Sequence, residues 1–285
     1  MKPLINQTVL MSRVKYFAVK ELNPYSNVNN QPDLHRAAVE FQTIKKALEE
    51  AGTTVLTVDG PPGCQDGIFT ANWALCRGDK AVLSSLPPGR KEEEPYAEKY
   101  LRKLGKQIIK PPYRFSGQGD ALPCGNLLFT GSHYRNDGRM HRFLAKELGY
   151  EVIGLQTVPA LDANGKPMIN RLTGWPDSFF YDIDLAISIL SPTLIAWCPA
   201  AFLPASQAKI RSLPFEMIEV SLDEALRHFA CNLVSTGETV IMSATAPKLR
   251  AAIEARGLQV IAPDIKELAK GGGYIRCTTL TINNN

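Results

Sequence analysis

The amino-acid sequence predicts an α/β protein of five pseudo-symmetric strand-helix-strand units, closed into a five-bladed propeller. Three observations lead there. An amphipathic helical stretch, a break and a short apolar run recur together five times; further strand-like runs lie between those repeats; and no Pro/Ser-rich linker divides residues 1–285. One such unit cannot bury both of its faces alone, so neighbours must stack and the ring must close. A single domain over 1–285 with a central channel is the expectation.

In chain order, the first unit reads RAAVEFQTIKKALEEAG and then TTVLTV, with its break at Gly52. The second, YAEKYLRKLG followed by KQIIKPP, breaks at Gly105, and the third, RMHRFLAKELG followed by YEVIGL, breaks at Gly149. SQAKIRSLP followed by FEMIEVS breaks at Pro214 instead, and PKLRAAIEARG followed by LQVIAPD breaks at Gly257. A glycine after a helical pattern takes the left-handed conformation that ends a helix without a Cβ clash. Strand-like runs between the units are SRVKYFAV, GIFTANWALC, KAVLSSL, GNLLFTG, LAISIL, TLIAWC, TVIMSA and YIRCTTLTI.

Bulk properties exclude several classes. Net charge is +4, and Lys and Arg form no stripe interleaved with aromatics, so no nucleic-acid partner is expected. The one dense charge run, RKEEE at 90–94, mixes signs and reads as a solvated loop. LAISILSPTLIAWCPAAFL (185–203) has no charge, but Pro192 and Pro199 cut it; two buried strands joined at Ser191-Pro192 fit better than a membrane helix. Six cysteines without a CxxC pair imply neither a zinc site nor a disulfide framework, and neither metal nor organic cofactor is implied. The opening residues lack an apolar core and a small-residue cleavage site, so reduced thiols in a cytoplasm are expected.

Four stretches join a polar or Gly-rich loop to a buried strand. Asn72 follows an apolar run, either as a turn residue or as a side chain at a strand's end. Asp120 follows the bend FSGQG, as a turn cap or a group in a cleft; the Lys-Ser/Thr of a Walker loop is absent. Asp182 and Asp184 are two residues apart, so on a strand they share a face, and a buried pair is costly unless it meets a cation or does chemistry; a water-exposed loop is the alternative. Cys277 closes GGGYIRC on what reads as a central strand, either as a small buried hydrophobe or as a nucleophile.

Taken in order, NPY at 23–25, FTAN at 69–72, Arg90, GQGDAL at 117–122, SHYRN at 132–136, FYDID at 180–184, CN at 231–232 and GGGYIRC at 271–277 resemble the pentein superfamily of guanidine-modifying α/β propellers. That superfamily includes arginine deiminases, dimethylarginine dimethylaminohydrolases, amidinotransferases and arginine dihydrolases. The resemblance covers nearly the whole chain. It implies that Cys277 attacks a guanidinium carbon to form a covalent adduct that water cleaves, with Asp184 pairing the guanidinium, Asn23, Asn72 and Asp120 binding the substrate, and Arg90 and Arg135 binding the substrate's α-carboxylate or a neighbouring acid.

The chain departs from the family at two places: Asp182 stands where the family has its general acid/base His, and Ser116 where it has a Glu. Asn72, Asn23 and Arg90 resemble the dihydrolase branch. Asp182 serves as base only if burial beside Asp184 raises its pKa; His133 is the other candidate, while His35, His141 and His228 sit in helical patterns and read as structural. The expected activity is therefore cysteine-dependent hydrolysis, or amidino transfer, at the C–N bond of an arginine-like guanidino or ureido compound. The alternative is a relative that binds such a ligand without turnover. The partner expected is that small molecule, with no membrane and no nucleic acid, in a monomer or homo-oligomer.

Overall fold

A computed structural model describes residues 4–284. Strand β1 (Thr8–Ser12) leads to helix α1 (Leu34–Glu50) and β2 (Thr54–Val58). The next two stretches of chain each run hairpin, helix, strand: β3 (Ala74–Arg77), β4 (Lys80–Leu83), α2 (Glu93–Lys103) and β5 (Gln107–Ile109), then β6 (Ala121–Cys124), β7 (Leu127–Thr130), α3 (Met140–Leu148) and β8 (Glu151–Gly154). The fourth is β9 (Ile187–Ser191), β10 (Leu194–Trp197), α4 (Pro204–Arg211) and β11 (Glu216–Glu219), with α5 (Leu222–His228) after it. The fifth is β12 (Val234–Ser235), β13 (Thr239–Ile241), α6 (Pro247–Glu254) and β14 (Gln259–Ile261), and β15 (Leu280–Thr281) follows.

These strands make five three-stranded sheets of one pattern. In each, the middle strand is antiparallel to one neighbour and parallel to the strand that follows the helix, because a parallel return needs a crossover of a dozen or more residues. The first sheet obeys the pattern only because β15 supplies the antiparallel partner, with Val9 opposite Thr281, so the two ends of the chain meet in one sheet. Side chains bridge between successive units: Asn6 Nδ2 donates to Ser235 O (2.8 Å), Asn284 Nδ2 to Cys76 O (2.8 Å) and Arg77 Nη1 to Leu148 O at the end of α3 (2.9 Å).

The helices form for the reasons their sequences state. In α1, Ala37, Phe41, Ile44 and Leu48 fall on one face and are buried, and Asp33 caps its start by accepting from His35 N and Arg36 N. Glu40 shares that buried face and accepts from the backbone N–H of Lys266, Glu267 and Leu268, tying α1 to the segment before the glycine triplet. Helix α3 ends at Gly149 (φ 72°), whose N–H bonds Ala145 O, as its glycine predicts. The uncharged stretch 185–203 contains the hairpin β9–β10, and among the described residues no helix is long and apolar enough to cross a membrane.

Several expectations fail locally. Of SRVKYFAV only Ser12 is in a strand, since β1 lies just upstream in TVLMS. Within GIFTANWALC, Thr70–Trp73 is a 3-10 turn and the strand starts at Ala74. Of YIRCTTLTI only Leu280–Thr281 is strand, and Cys277 sits in the turn before it. The run at 90–94 is not a solvated loop: Arg90 and Glu93 are buried, because each satisfies the other's charge beneath the first turn of α2. Short α5 was not expected as a unit of the repeat.

Candidate active site

Cys277 is presented by a turn whose approach only glycines allow. Gly272 has φ +87°, and a Cβ there would collide with the Asn23 carboxamide; one at Gly273 would come 2.7 Å from the Phe69 ring. Asn23 in turn donates to Gly271 O (2.9 Å) and accepts from Tyr25 N (3.0 Å), so it braces the glycine segment.

Asn232 organises the cysteine. Its side-chain oxygen accepts from the backbone N–H of Tyr274 (3.1 Å) and of Cys277 (3.2 Å), while its amide nitrogen donates to Cys277 Sγ (3.2 Å) and to Asp184 O (3.3 Å). The thiol donates to Asp184 Oδ2 at 3.4 Å. Burial pushes the Cys277 thiol well up, and the negative charge of Asp184 pushes the same way, while Asn232 opposes both. Cys277 is 2% exposed.

Asp182 and Asp184 lie not on a strand and not in a water-exposed loop, but around the 3-10 turn Ile183–Leu185, both fully buried. Asp120 holds that turn: its carboxylate accepts from Ile183 N (2.8 Å), the residue between the two. Asp182 Oδ2 accepts from Asn72 Nδ2 (2.7 Å), which also reaches Ser116 Oγ (3.0 Å). Gly119 must lack a side chain, since a Cβ would stand 2.5 Å from Asn72 Nδ2 and 2.9 Å from Asp182 Oδ2. Burial raises the pKa of all three aspartates, with the Asp182 charge adding to the rise at Asp120 and Asp184; at Asp182, Arg135 pulls down. Among the described residues, Asp182 Oδ1 and Asp184 Oδ1 are buried and without a hydrogen-bond donor. Two orphaned carboxylate oxygens at one site suit a cation carrying several N–H donors.

The two arginines divide their tasks. Arg90 is forked onto Glu93 (Nε to Oε1 and Nη2 to Oε2, both 2.8 Å), and its Nη1 donates to Asn72 Oδ1 (2.8 Å), with Asp66 at 3.8 Å. Of the two partners the sequence leaves open for Arg90, it meets the neighbouring acid, and it orients Asn72. Arg135 donates to Leu22 O (2.8 Å) and lies 4.6 Å from the Tyr181 ring centre, a cation-π contact. His133 is not brought to the cluster: it is exposed, with φ 88°, and its N–H bonds Asn136 O. His35 and His141 lie in α1 and α3 and His228 ends α5.

Sequence reasoning assigned no role to Asn232 or Glu93. An Asn following a cysteine and a Glu in a mixed-charge run carry no local mark; their partners are 45 and 3 residues away and become visible only on folding.

The chain is similar to several known proteins. Residues 188–284 match the family described as eukaryotic N,N-dimethylarginine dimethylhydrolase. The chain is 29% identical over 276 residues to the dimethylarginine dimethylaminohydrolase of Mycobacterium tuberculosis, covering 96% of this chain and 85% of that one. It is 30% identical over 269 residues to the bifunctional arginine dihydrolase/ornithine cyclodeaminase AgrE of Nostoc, covering 92% of this chain but 35% of that longer protein. The crystal structure of the N-terminal domain of ArgZ, a cyanobacterial arginine dihydrolase, superposes with a TM-score of 0.85 at 27% identity, over 97% of this chain and 98% of that one. In its fold of five small sheets, the order of its motifs and these relatives, the chain is similar to the dimethylarginine dimethylaminohydrolases and arginine dihydrolases of the pentein superfamily.

Proposed function

We propose that this protein is a cysteine-dependent hydrolase of the C–N bond of an arginine-like guanidino or ureido compound. The carrying observation is the approach of Cys277 Sγ to Asp184 Oδ2 at 3.4 Å, beside a second buried carboxylate at Asp182. In this reading the five sheets are blades of one domain around the cluster, and the six free cysteines suit a reducing cytoplasm.

The chemistry runs as follows. A guanidinium seated against Asp182 and Asp184 supplies the N–H donors that their outer oxygens lack, and its positive charge lowers the pKa of the neighbouring thiol. The thiol proton passes to Asp184 as the Sγ–C bond forms, and the C=N electron pair moves onto nitrogen to give a neutral tetrahedral adduct. Asp184 returns that proton to the departing nitrogen, the C–N bond breaks, and a thiouronium remains. Water then adds to its carbon with loss of a proton to a carboxylate, the C–S bond breaks with its electron pair on sulfur, and the hydroxyl proton passes to that thiolate as the C=O bond forms, which restores the thiol and frees the ureido product. Asn232 holds the sulfur throughout. Arg135, whose charge acts on Asp182, and Asn23, which braces the glycine segment, are assigned to substrate binding; Asn72, Arg90 and Asp120 orient the carboxylates.

A second reading rests on Asp182 itself, since among the described residues no imidazole makes a hydrogen bond within the cluster: the site binds the ligand without turnover. Ammonia and ureido formation from a panel of guanidino and ureido compounds separates the two. Turnover by the parent that is lost in Cys277→Ala supports hydrolysis. Saturable thermal stabilisation without product supports binding alone, and equal turnover by parent and variant rules out the cysteine mechanism.

A further inference from the structure

Behind the cluster lies a cavity of about 200 Å³ that contributes nothing to the chemistry above. Its wall includes Gln118, Cys231 and Arg276, and the chain neighbours of those residues (Asp120 two along, Asn232 and Cys277 one along) form the cluster. One layer of backbone therefore separates the two. None of the cluster's side chains, Asp120, Asp182, Asp184 or Cys277, lines the cavity.

Of the described residues that line it, only Arg276 carries a charge. Arg276 is 5% exposed, and its two side-chain hydrogen bonds, from Nη1 to Asn6 Oδ1 and to Thr281 Oγ1, are both long at 3.3 Å. Its Nε is buried and without an acceptor among the described residues. Burial lowers its pKa to about 10 while the charge of Asp184, which makes no hydrogen bond to it, pushes the other way; Arg276 stays a cation at neutral pH. A buried guanidinium with idle donors is costly unless an anion meets it, and its planar fork matches a carboxylate. The rest of the wall narrows the choice. Leu122, Ile187, Ile189 and Leu233 are apolar and suit an aliphatic chain, while a single positive charge balances a monoanion rather than a dianion. Gln118 commits its oxygen to Thr281 N (2.7 Å), leaving its NH2 as a second donor.

We propose that this cavity binds a short aliphatic monocarboxylic acid, with its carboxylate on Arg276 and its chain against Leu122, Ile187 and Leu233. The site is separate from the one that Cys277 serves, and its occupation does not depend on turnover there.

The test is thermal denaturation of the full chain in propionate, butyrate and valerate, against sodium chloride at matched ionic strength and against butyramide. The expected result is a saturable rise in Tm with at least one acid and none with butyramide. That rise is lost in Arg276→Gln. Because this variant replaces a buried charge beside Cys277 and can fail to fold, Ile5→Trp, at the partly exposed rim, serves as the second arm and weakens the apparent affinity at least tenfold. No rise beyond chloride with any of the three acids, an equal rise in the Ile5→Trp variant, or a stronger saturable rise with inorganic phosphate would overturn the assignment.

Discussion

Asn72 donates to Asp182 Oδ2 at 2.7 Å while its own oxygen accepts from Arg90 at 2.8 Å, so one neutral amide couples a buried carboxylate to a buried guanidinium. Removing it takes one partner from Asp182 Oδ2 and one from Arg90 Nη1. Asn72→Ala is expected to lower the unfolding free energy by about 1–3 kcal/mol, the cost of buried polar groups left without a partner. Urea denaturation of the two proteins measures it; an unchanged midpoint contradicts the role.

The pair beneath Asn72 carries more. Arg90 and Glu93 are both buried and doubly hydrogen-bonded, so Glu93→Ala leaves an uncompensated charge and is expected to cost about 3–5 kcal/mol. Glu98→Ala, which breaks the exposed pair with Arg102, serves as the control and is expected to cost less than about 1 kcal/mol. Equal losses in the two variants, by the same denaturation assay, contradict the assignment of a buried pair.

Asp66 gives a pH signature. Burial pushes its carboxyl up to about 6 against the pull of Arg90. Such a group holds its proton in the folded protein after the unfolded chain has released it. Its contribution is thus fullest below about pH 4, the unfolded value, and is lost as pH rises through about 6. The stability of the parent relative to Asp66→Asn is expected to fall by on the order of 3 kcal/mol between those pH values and to stay level above them. A difference that rises over that window contradicts the sign.

Burial and then the Asp184 charge hold the Cys277 thiol high. Asp184→Asn removes the second cause, so the pH profile of Cys277 alkylation by iodoacetamide is expected to move to lower pH. At a fixed pH below the thiol's pKa, each unit of that move raises the thiolate fraction about tenfold. Slower alkylation in the variant contradicts the electrostatic account.

What could be read from the sequence followed the range of each interaction. The five helix-break-strand units were legible because periodicity and helix-ending glycines such as Gly149 are local, and the structure holds all five. The hairpin at Ser191-Pro192 was legible for the same reason. Placement of charge was not. Asp182 and Asp184 read equally well as strand or exposed loop, and their turn is fixed by Asp120, 63 residues before Ile183. Arg90 and Glu93 looked solvated because a run of mixed charges carries no mark of the one pair that folds inward. His133 stood on a promising loop, yet its left-handed backbone turns it to solvent. Cys277 was singled out by the resemblance, while the turn and the Asn232 clasp that hold it appear only in three dimensions.

The most direct measurement is the mass of the Cys277 peptide after rapid acid quench during turnover of whichever guanidino or ureido compound releases ammonia. The account predicts a transient mass gain, confined to that peptide and absent in Asn and Asp peptides, with no turnover by Cys277→Ala. Product formation at the parental rate by Cys277→Ala, with the Cys277 peptide unmodified in the parent, would contradict it.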